Sequence, residues 1–319
     1  MTKLLNHINT YQSEADYKND KSKNFPNVSY IVENDNVLFV KEKTYFSTQY
    51  LTFEAIEDGT FTFTGRNSNS LSYSLDDGQT WTALASGSAS PTVTSGNKIM
   101  WKGTCTPSDT GSGKFSATAN FNVQGNIMSL LFGDDFTNKT DLTGKNYAFY
   151  DLFYQNTNIK SAKNLILPAT TLAEGCYGDM FDGCTSLTTA PELPVTTLAE
   201  GCYRSMFRGC TNLTTVPELP ATTLVMNCYA YMFKGCTSLT TAPELPATTL
   251  ANWCYTNMFN GCTKLSYIKC LATDISASNC LSDWVSGVAS TGRFVKAASM
   301  TSWTTGTSGI PTDWTVVNE

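Results

Sequence analysis

Histidine is almost missing from this 319-residue chain, which has only His7. Serine or cysteine catalysis of the usual kind needs an imidazole to accept the nucleophile's proton, so that chemistry lacks its base. Arginine is nearly as scarce, with only Arg66, Arg204, Arg208 and Arg293. A surface that tracks phosphates needs clustered Lys and Arg, so no nucleic acid partner is expected. Charged residues make up 15% of the chain, and its net charge is −6. No apolar run reaches the roughly 18 residues of a membrane span, so no membrane insertion is expected. No P-loop or dinucleotide fingerprint occurs. The opening stretch, MTKLLNHINTYQSEADYKND, has neither an apolar core nor a small-residue cleavage site. A signal peptide is therefore not expected, and the chain would reach any outside surface by another route.

Thr, Ser, Asn and Gly are abundant, a balance that suits β-rich, repetitive proteins better than helical enzymes. A repeat stands out in the second half. Residues 169–194 read ATTLAEGCYGDMFDGCTSLTTAPELP, and 195–220 read VTTLAEGCYRSMFRGCTNLTTVPELP. Residues 221–246 read ATTLVMNCYAYMFKGCTSLTTAPELP, and the next copy, ATTLANWCYTNMFNGCTKLSYIKCLA, then drifts. The period is 26 residues. Its constant columns include Leu172/Leu198/Leu224/Leu250, Met180/Met206/Met232/Met258, Phe181/Phe207/Phe233/Phe259 and Leu187/Leu213/Leu239/Leu265. One repeat cannot bury its own apolar face, so these columns predict inward layers of a stack. Tyr177–Phe181 and its copies are expected to form a short helical turn ended by Gly183. Leu187–Thr188 and their copies should stack as a narrow parallel sheet, with Pro191 and Pro194 keeping the return segment out of helix.

The ends of the array are degenerate, as caps must be. Phe149, Leu152, Phe153 and Asn156 take the Tyr, Met, Phe and second Cys columns upstream. Cys280, Trp284, Val285 and Gly287 keep the register downstream, with Trp303 and Trp314 expected to cover the last turn of chain. The chain has eleven cysteines. Within each repeat they fall eight apart, as Cys176 and Cys184 do, whereas metal ligands usually pair at two to four with histidine alongside. They are expected to be reduced core residues, with no metal and no cofactor.

The motif F-x-G-C-x-x-L, from Phe181 to Leu187 and its copies, followed by a proline-bearing exit, resembles the BspA-like leucine-rich repeats. The ending SGIPTDWTVVN (308–318) is similar to the ends of such proteins. The resemblance covers roughly residues 146–319. It implies a binding scaffold or adhesin, with no catalytic residues to carry over.

The first half reads differently. Ser13-Glu14-Ala15-Asp16 begins a short helix to about Lys21, and VSYIVENDNVLFV (28–40) predicts a β-hairpin turning at Asn34-Asp35. The stretches YQSEADYKND (11–20) and PNVSYIVENDNVLF (26–39) resemble the N-termini of virion proteins from crAss-like and other Bacteroides-infecting phages. Residues 46 to about 135 alternate in short runs such as Phe61-Thr62-Phe63 and Phe121-Asn122-Val123, which suggests a β-sandwich. Ser74-Leu75-Asp76-Asp77-Gly78-Gln79-Thr80-Trp81 fits the Asp-box of sialidase propellers. It occurs once, with Arg66 the only nearby arginine, so a structural hairpin is expected.

The expected fold is thus mainly β with short helical turns. It comprises an N-terminal helix and β-hairpin arm (1–45), a β-sandwich (46–137) and a leucine-rich-repeat solenoid (138–319), with caps at 146–168 and 279–319. Glu192, Glu218 and Glu244 recur at the repeat period, which marks a solvated face rather than an acid–base pair. The columns that vary supply a candidate ligand face: Asp179, Asp182, Ser205, Arg208, Tyr231, Lys234, Asn257 and Asn260. The functional expectation is a non-enzymatic phage virion surface protein, as a head-fibre, tail or decoration appendage. Residues 1–45 would hold it to other virion structural proteins, and the solenoid would meet a host surface glycan or protein. A homo-oligomer is expected, with a trimer the first guess. The alternative is a BspA-like bacterial cell-surface adhesin. A glycan-processing enzyme, the third reading, lacks a catalytic constellation.

Overall fold

A computed structural model describes residues 10–11, 30–33, 36–39 and 48–319. The fold is mainly β, built from several sheets with one short α-helix among the described residues. Three strands precede the main body: β1 (Thr10–Tyr11), β2 (Tyr30–Glu33) and β3 (Asn36–Phe39). They form an antiparallel sheet in the order β1-β3-β2, with Tyr30 opposite Phe39 and Glu33 opposite Asn36. The β2–β3 hairpin lies where alternation placed it. The expected helix at Ser13–Lys21 and His7 lie outside the described residues.

The next region contains β4 (Leu51–Ala55), β5 (Phe61–Gly65), β6 (Leu71–Ser74), β7 (Thr82–Leu84), β8 (Lys98–Gly103), β9 (Gly113–Ala117) and β10 (Phe121–Asn126). Alternation decides which side chains enter. In β5 Phe61 and Phe63 are buried while Thr62 and Thr64 face outward. Phe53 is the hub of the interior. Its ring lies 4.9–5.9 Å from those of Phe61, Trp101, Phe115, Phe121 and Phe153, all tilted or edge-on. The helix α1 (Ser129–Phe132) is pinned beneath the sheet by Ser129. The Ser129 hydroxyl donates to the Trp101 carbonyl at 2.8 Å and accepts the Leu51 amide at 3.0 Å.

Strand β11 (Ile159–Ile166) completes a six-stranded sheet of order β11-β10-β4-β8-β6-β7. The β10–β11 pair is parallel and the other pairs are antiparallel. Since β11 lies in the stretch read as a repeat cap, one sheet joins the first half of the chain to the second. Strands β5 and β9 make a separate two-stranded sheet. A single cluster of buried side chains runs from Leu51 to Trp314.

From Tyr147 onward the chain stacks upon itself repeat by repeat. The expected helical turns at Tyr177–Phe181 and its copies are not helices, which corrects the sequence reading. Every fourth residue is left-handed: Gly175, Asp179 and Gly183 in the second repeat, Gly201, Ser205 and Gly209 in the third, Asn227, Tyr231 and Gly235 in the fourth. Such a residue ends a right-handed run before a helix can form. What remains is a ladder of linked turns with two kinds of backbone bond. One closes locally, as from Gly178 to Gly175 (2.9 Å) and Asp182 to Asp179 (3.1 Å). The other crosses to the next repeat: the amides of Gly175, Tyr177, Asp179, Phe181 and Gly183 donate to the carbonyls of Glu200, Cys202, Arg204, Met206 and Arg208 at 2.7–3.0 Å.

This stepping sends two of every four side chains inward. Identical rings therefore stack nearly parallel: Tyr177 on Tyr203 at 5.8 Å and 7°, Phe207 on Phe233 at 5.7 Å and 7°, Phe233 on Phe259 at 5.9 Å and 2°. Leu224 and Leu250 are buried, whereas Leu172 and Leu198 of the same column are only partly so. The parallel sheet expected after Gly183 shrinks through the middle repeats to single bridges such as Ser161–Thr189 and Thr189–Thr215. It widens only at the end, where β12 (Tyr267–Cys270), β13 (Arg293–Lys296) and β14 (Thr315–Asn318) pair in parallel.

Both ends of the ladder are satisfied. At the start, the Ser112 hydroxyl donates to the Ala148 carbonyl at 2.8 Å and the Phe115 amide to the Leu152 carbonyl at 2.8 Å. These donors from the β9 segment stand where a preceding repeat would have supplied them. At the finish, the Val285 amide bonds the Thr307 carbonyl at 3.1 Å. Trp303 stacks on Trp284 at 6.0 Å, and the indoles of Trp284 and Trp314 donate to Gly309 and Ala289.

Candidate functional site

The cysteines form inner columns. All eleven are free and buried. The second column has a bonding role. The thiols of Cys184, Cys210, Cys236 and Cys262 donate to the carbonyls of Phe153, Phe181, Phe207 and Phe233 at 3.0–3.1 Å. In the first repeat the Asn156 amide does this work toward Phe115, at 3.3 Å. Burial pushes the thiols up, to about 12 at Cys176, Cys228 and Cys262. Such sulfurs stay protonated and are poor nucleophiles.

The Asp-box stretch is a closed loop between β6 and β7. Asp76 accepts from the Thr80 amide at 2.9 Å, the Thr80 hydroxyl at 2.6 Å and the Ser74 hydroxyl at 2.7 Å. Those bonds, the one from the Thr80 hydroxyl first, hold its carboxyl down at about 2. Asp77 and Gly78 take positive φ, and the Trp81 indole donates back to the Gly78 carbonyl at 3.0 Å. Trp81 packs edge-on to Tyr50 at 4.7 Å, with the Lys102 ammonium 4.3 Å from its centroid. The polar side chains of Ser74, Asp76, Thr80 and Trp81 are thus spent on the loop itself.

The variable columns lie on one outward strip of the turn ladder. Asp179, Ser205, Tyr231 and Asn257 occupy its middle left-handed position, next to Asp151 before them and Asp283 after. Asp182, Arg208, Lys234 and Asn260 lie three residues further along each repeat. The strip changes character along its length. In the first two repeats the acids are internally matched. Arg66 pairs with Asp151 at 3.2 Å and Arg208 reaches back one repeat to Asp182, while burial, and after it the nearby Asp179 carboxylate, raises the Tyr150 hydroxyl. Asp179, Asp182 and Ser205 are buried. Burial raises the carboxyls of Asp151 and Asp182, and the arginines work against that rise.

The third and fourth repeats are different. The Arg204 guanidinium lies 5.8 Å from the Tyr231 ring centroid, and the Lys234 ammonium lies 5.5 Å from it. Neither cation forms an ion pair among the described residues. Asn257 and Asn260 are partly exposed in the fifth repeat. Glu244, from the column of repeated glutamates, meets Lys269 at 3.2 Å.

One residue of this strip is missed by column reading. Trp253 is 41% exposed and has φ of 62°. Its column otherwise holds Tyr147, Gly175, Gly201, Asn227 and Asn279. A bulky residue in this conformation costs about 1–2 kcal/mol relative to the right-handed regions. The signal was a Trp standing where glycine and asparagine recur.

Among the described residues no group of His, Cys, Asp or Glu is placed to hold a metal ion, and no helix is long and apolar enough to cross a membrane. No family model, curated protein or solved structure matches the chain.

Proposed function

We propose that this protein is a non-enzymatic surface appendage of a phage virion that displays a leucine-rich-repeat solenoid for adhesion. In this reading residues 138–319 are the solenoid and 46–137 a β-sandwich that doubles as its N-terminal cap. Residues 1–45 are the arm that docks on other virion proteins, and the assembled appendage is a homo-oligomer.

One observation carries the adhesive part. Inward columns keep their identity through stacked rings and thiol bonds, while the outward strip changes from matched acids to unpaired cations and exposed aromatics. A scaffold that holds its core fixed and varies one face is suited to recognition. The buried, protonated thiols and the self-contained Asp-box loop support a non-catalytic role. The resemblance of residues 11–20 and 26–39 to phage virion N-termini supports the location.

An antibody to residues 146–319, applied to purified virions and to host membranes, tests that location. Label on virions is the expected result, and label confined to host membranes overturns it in favour of a bacterial adhesin. Removing residues 1–45 should abolish incorporation into particles. Incorporation that survives the deletion removes the anchoring role.

A further inference from the structure

Tyr231 and Trp253 lie on adjacent repeats and adjacent columns of the outward strip. Both are left-handed, with φ of 60° and 62°. Asn227 and Asn257, also left-handed, occupy the other two corners of that tile, so aromatic and amide side chains alternate across it. Bulky aromatics at such positions are strained, and strain of this kind persists where a function needs it. Tyr147, the other ring in these columns, spends its hydroxyl on a short bond to Glu174, whereas among the described residues no hydrogen bond, ring or cation contact engages the Trp253 ring, which is left exposed. Trp253 and its neighbour Met226 are each 41% exposed.

Charge narrows what the tile would hold. The chain is acidic overall, yet Arg204 and Lys234 flank the Tyr231 ring without a carboxylate partner. Two cations on one ring repel each other, and an anion between them would relieve that. On the earlier repeats Asp151 and Asp182 are already matched by Arg66 and Arg208, and Asp283, one repeat beyond Asn257, accepts the Thr307 hydroxyl at 3.1 Å. An exposed indole beside amides matches the apolar face and hydroxyls of a pyranose ring, and the cation pair matches a carboxylate.

We propose that repeats three to five carry a binding site for a carboxylated glycan. Trp253 stacks on one sugar ring, Arg204 and Lys234 receive the carboxylate of the next across Tyr231, and Asn227 and Asn257 bond hydroxyls. The proposal rests on the adhesive reading above and names its ligand class.

The test is titration of the full-length protein with oligosaccharides of galacturonate, of glucuronate-containing heparosan and of sialic acid, each beside its carboxyl-reduced counterpart. At least one acid form should bind about tenfold more tightly than its reduced form, as expected for one charge-assisted contact. Raising the salt concentration should erode that preference. The double variant Arg204→Gln/Lys234→Gln should abolish the preference. Trp253→Gly should weaken both forms about tenfold while its unfolding temperature holds or rises, since glycine occupies that column elsewhere. If none of the acids binds, if none is preferred, or if the variants bind as wild type does, the proposal is overturned. Virion incorporation is read separately, so a chain that enters particles but binds no acid sinks this site and leaves the appendage reading standing.

Discussion

Two interiors of the same molecule are packed by opposite rules. Around Phe53 five aromatic rings meet at interplanar angles of 48–81°, drawn from four strands and the first repeat. In the stacked repeats the Phe column from Phe181 to Phe259 meets itself at 2–9°, always one period apart. The first interior is a jigsaw in which each piece has a different shape. The second is a pile of identical pieces, so its order comes from repetition. A defect in the jigsaw should therefore spread, and a defect in the pile should stay near its own layer.

The largest effect is expected at the hub. Phe53→Ala should cost about 4 kcal/mol or more in urea unfolding, near the upper range for buried Phe→Ala changes. It should also loosen the first repeat, because Phe53 and Phe115 both touch Phe153. Phe207→Ala should cost about 3 kcal/mol, but amide exchange should quicken only in the repeats bearing Phe181, Phe207 and Phe233. Equal spreading from both sites would break the contrast.

Next comes the seam between the two interiors. Asn156→Ala removes a bond to Phe115 and an acceptor for the Asn158 amide, and should cost about 2–3 kcal/mol. Cys236→Ala removes one thiol bond and a small volume inside the pile, and should cost about 1–2 kcal/mol. A costlier cysteine change than asparagine change in thermal unfolding would show that the pile, not the seam, is the tighter of the two.

The smallest expected effect is electrostatic. Asp76 has its carboxyl lowered from 3.8 to about 2, so its stabilisation is present above the unfolded value and fades as pH falls through that interval. Asp182 carries the opposite sign: burial raises its carboxyl, so the folded state favours the protonated form and loses that advantage as pH rises past the unfolded value. Asp76→Asn should flatten the acid limb of the stability curve, while Asp182→Asn should flatten the fall on its neutral side. Matching changes in both variants would erase the distinction between the polar loop and the buried strip.

Much of this was legible in the sequence for one reason: a period of 26 residues displays its inward columns directly. The Met, Phe, Leu187 and cysteine columns are buried as their constancy implied. The alternation of Phe61 and Phe63 likewise gave the burial of β5. The turn ladder was not legible. Spacing of apolar residues at three and four mimics a helix, and the left-handed residues that forbid one are Asp179, Ser205, Tyr231 and Asn257, of which none is glycine. Strand β11 was hidden because its partner β10 is identifiable only in three dimensions. Of the candidate face, Tyr231, Lys234, Asn257 and Asn260 remain partly exposed. Asp182 and Arg208 turned out to be matched to each other, a pairing one full period apart that no local pattern reveals. Trp253 escapes column reading because its column is mostly glycine and asparagine, which marks turn geometry rather than a varying ligand face.

The cross-repeat amide bonds have an electrical consequence. All five between the second and third repeats send their hydrogen toward the C-terminal neighbour, and the same sense recurs from Tyr147 through Gly261. Peptide dipoles that share a direction add along the axis instead of cancelling. In an α-helix the partial positive charge gathers at the N-terminus. Here the vector is reversed, with its positive pole toward Trp284 and its negative pole against the β9 segment. An added anion should thus be better tolerated beside the last repeats than beside the first, opposite to the rule that governs helices.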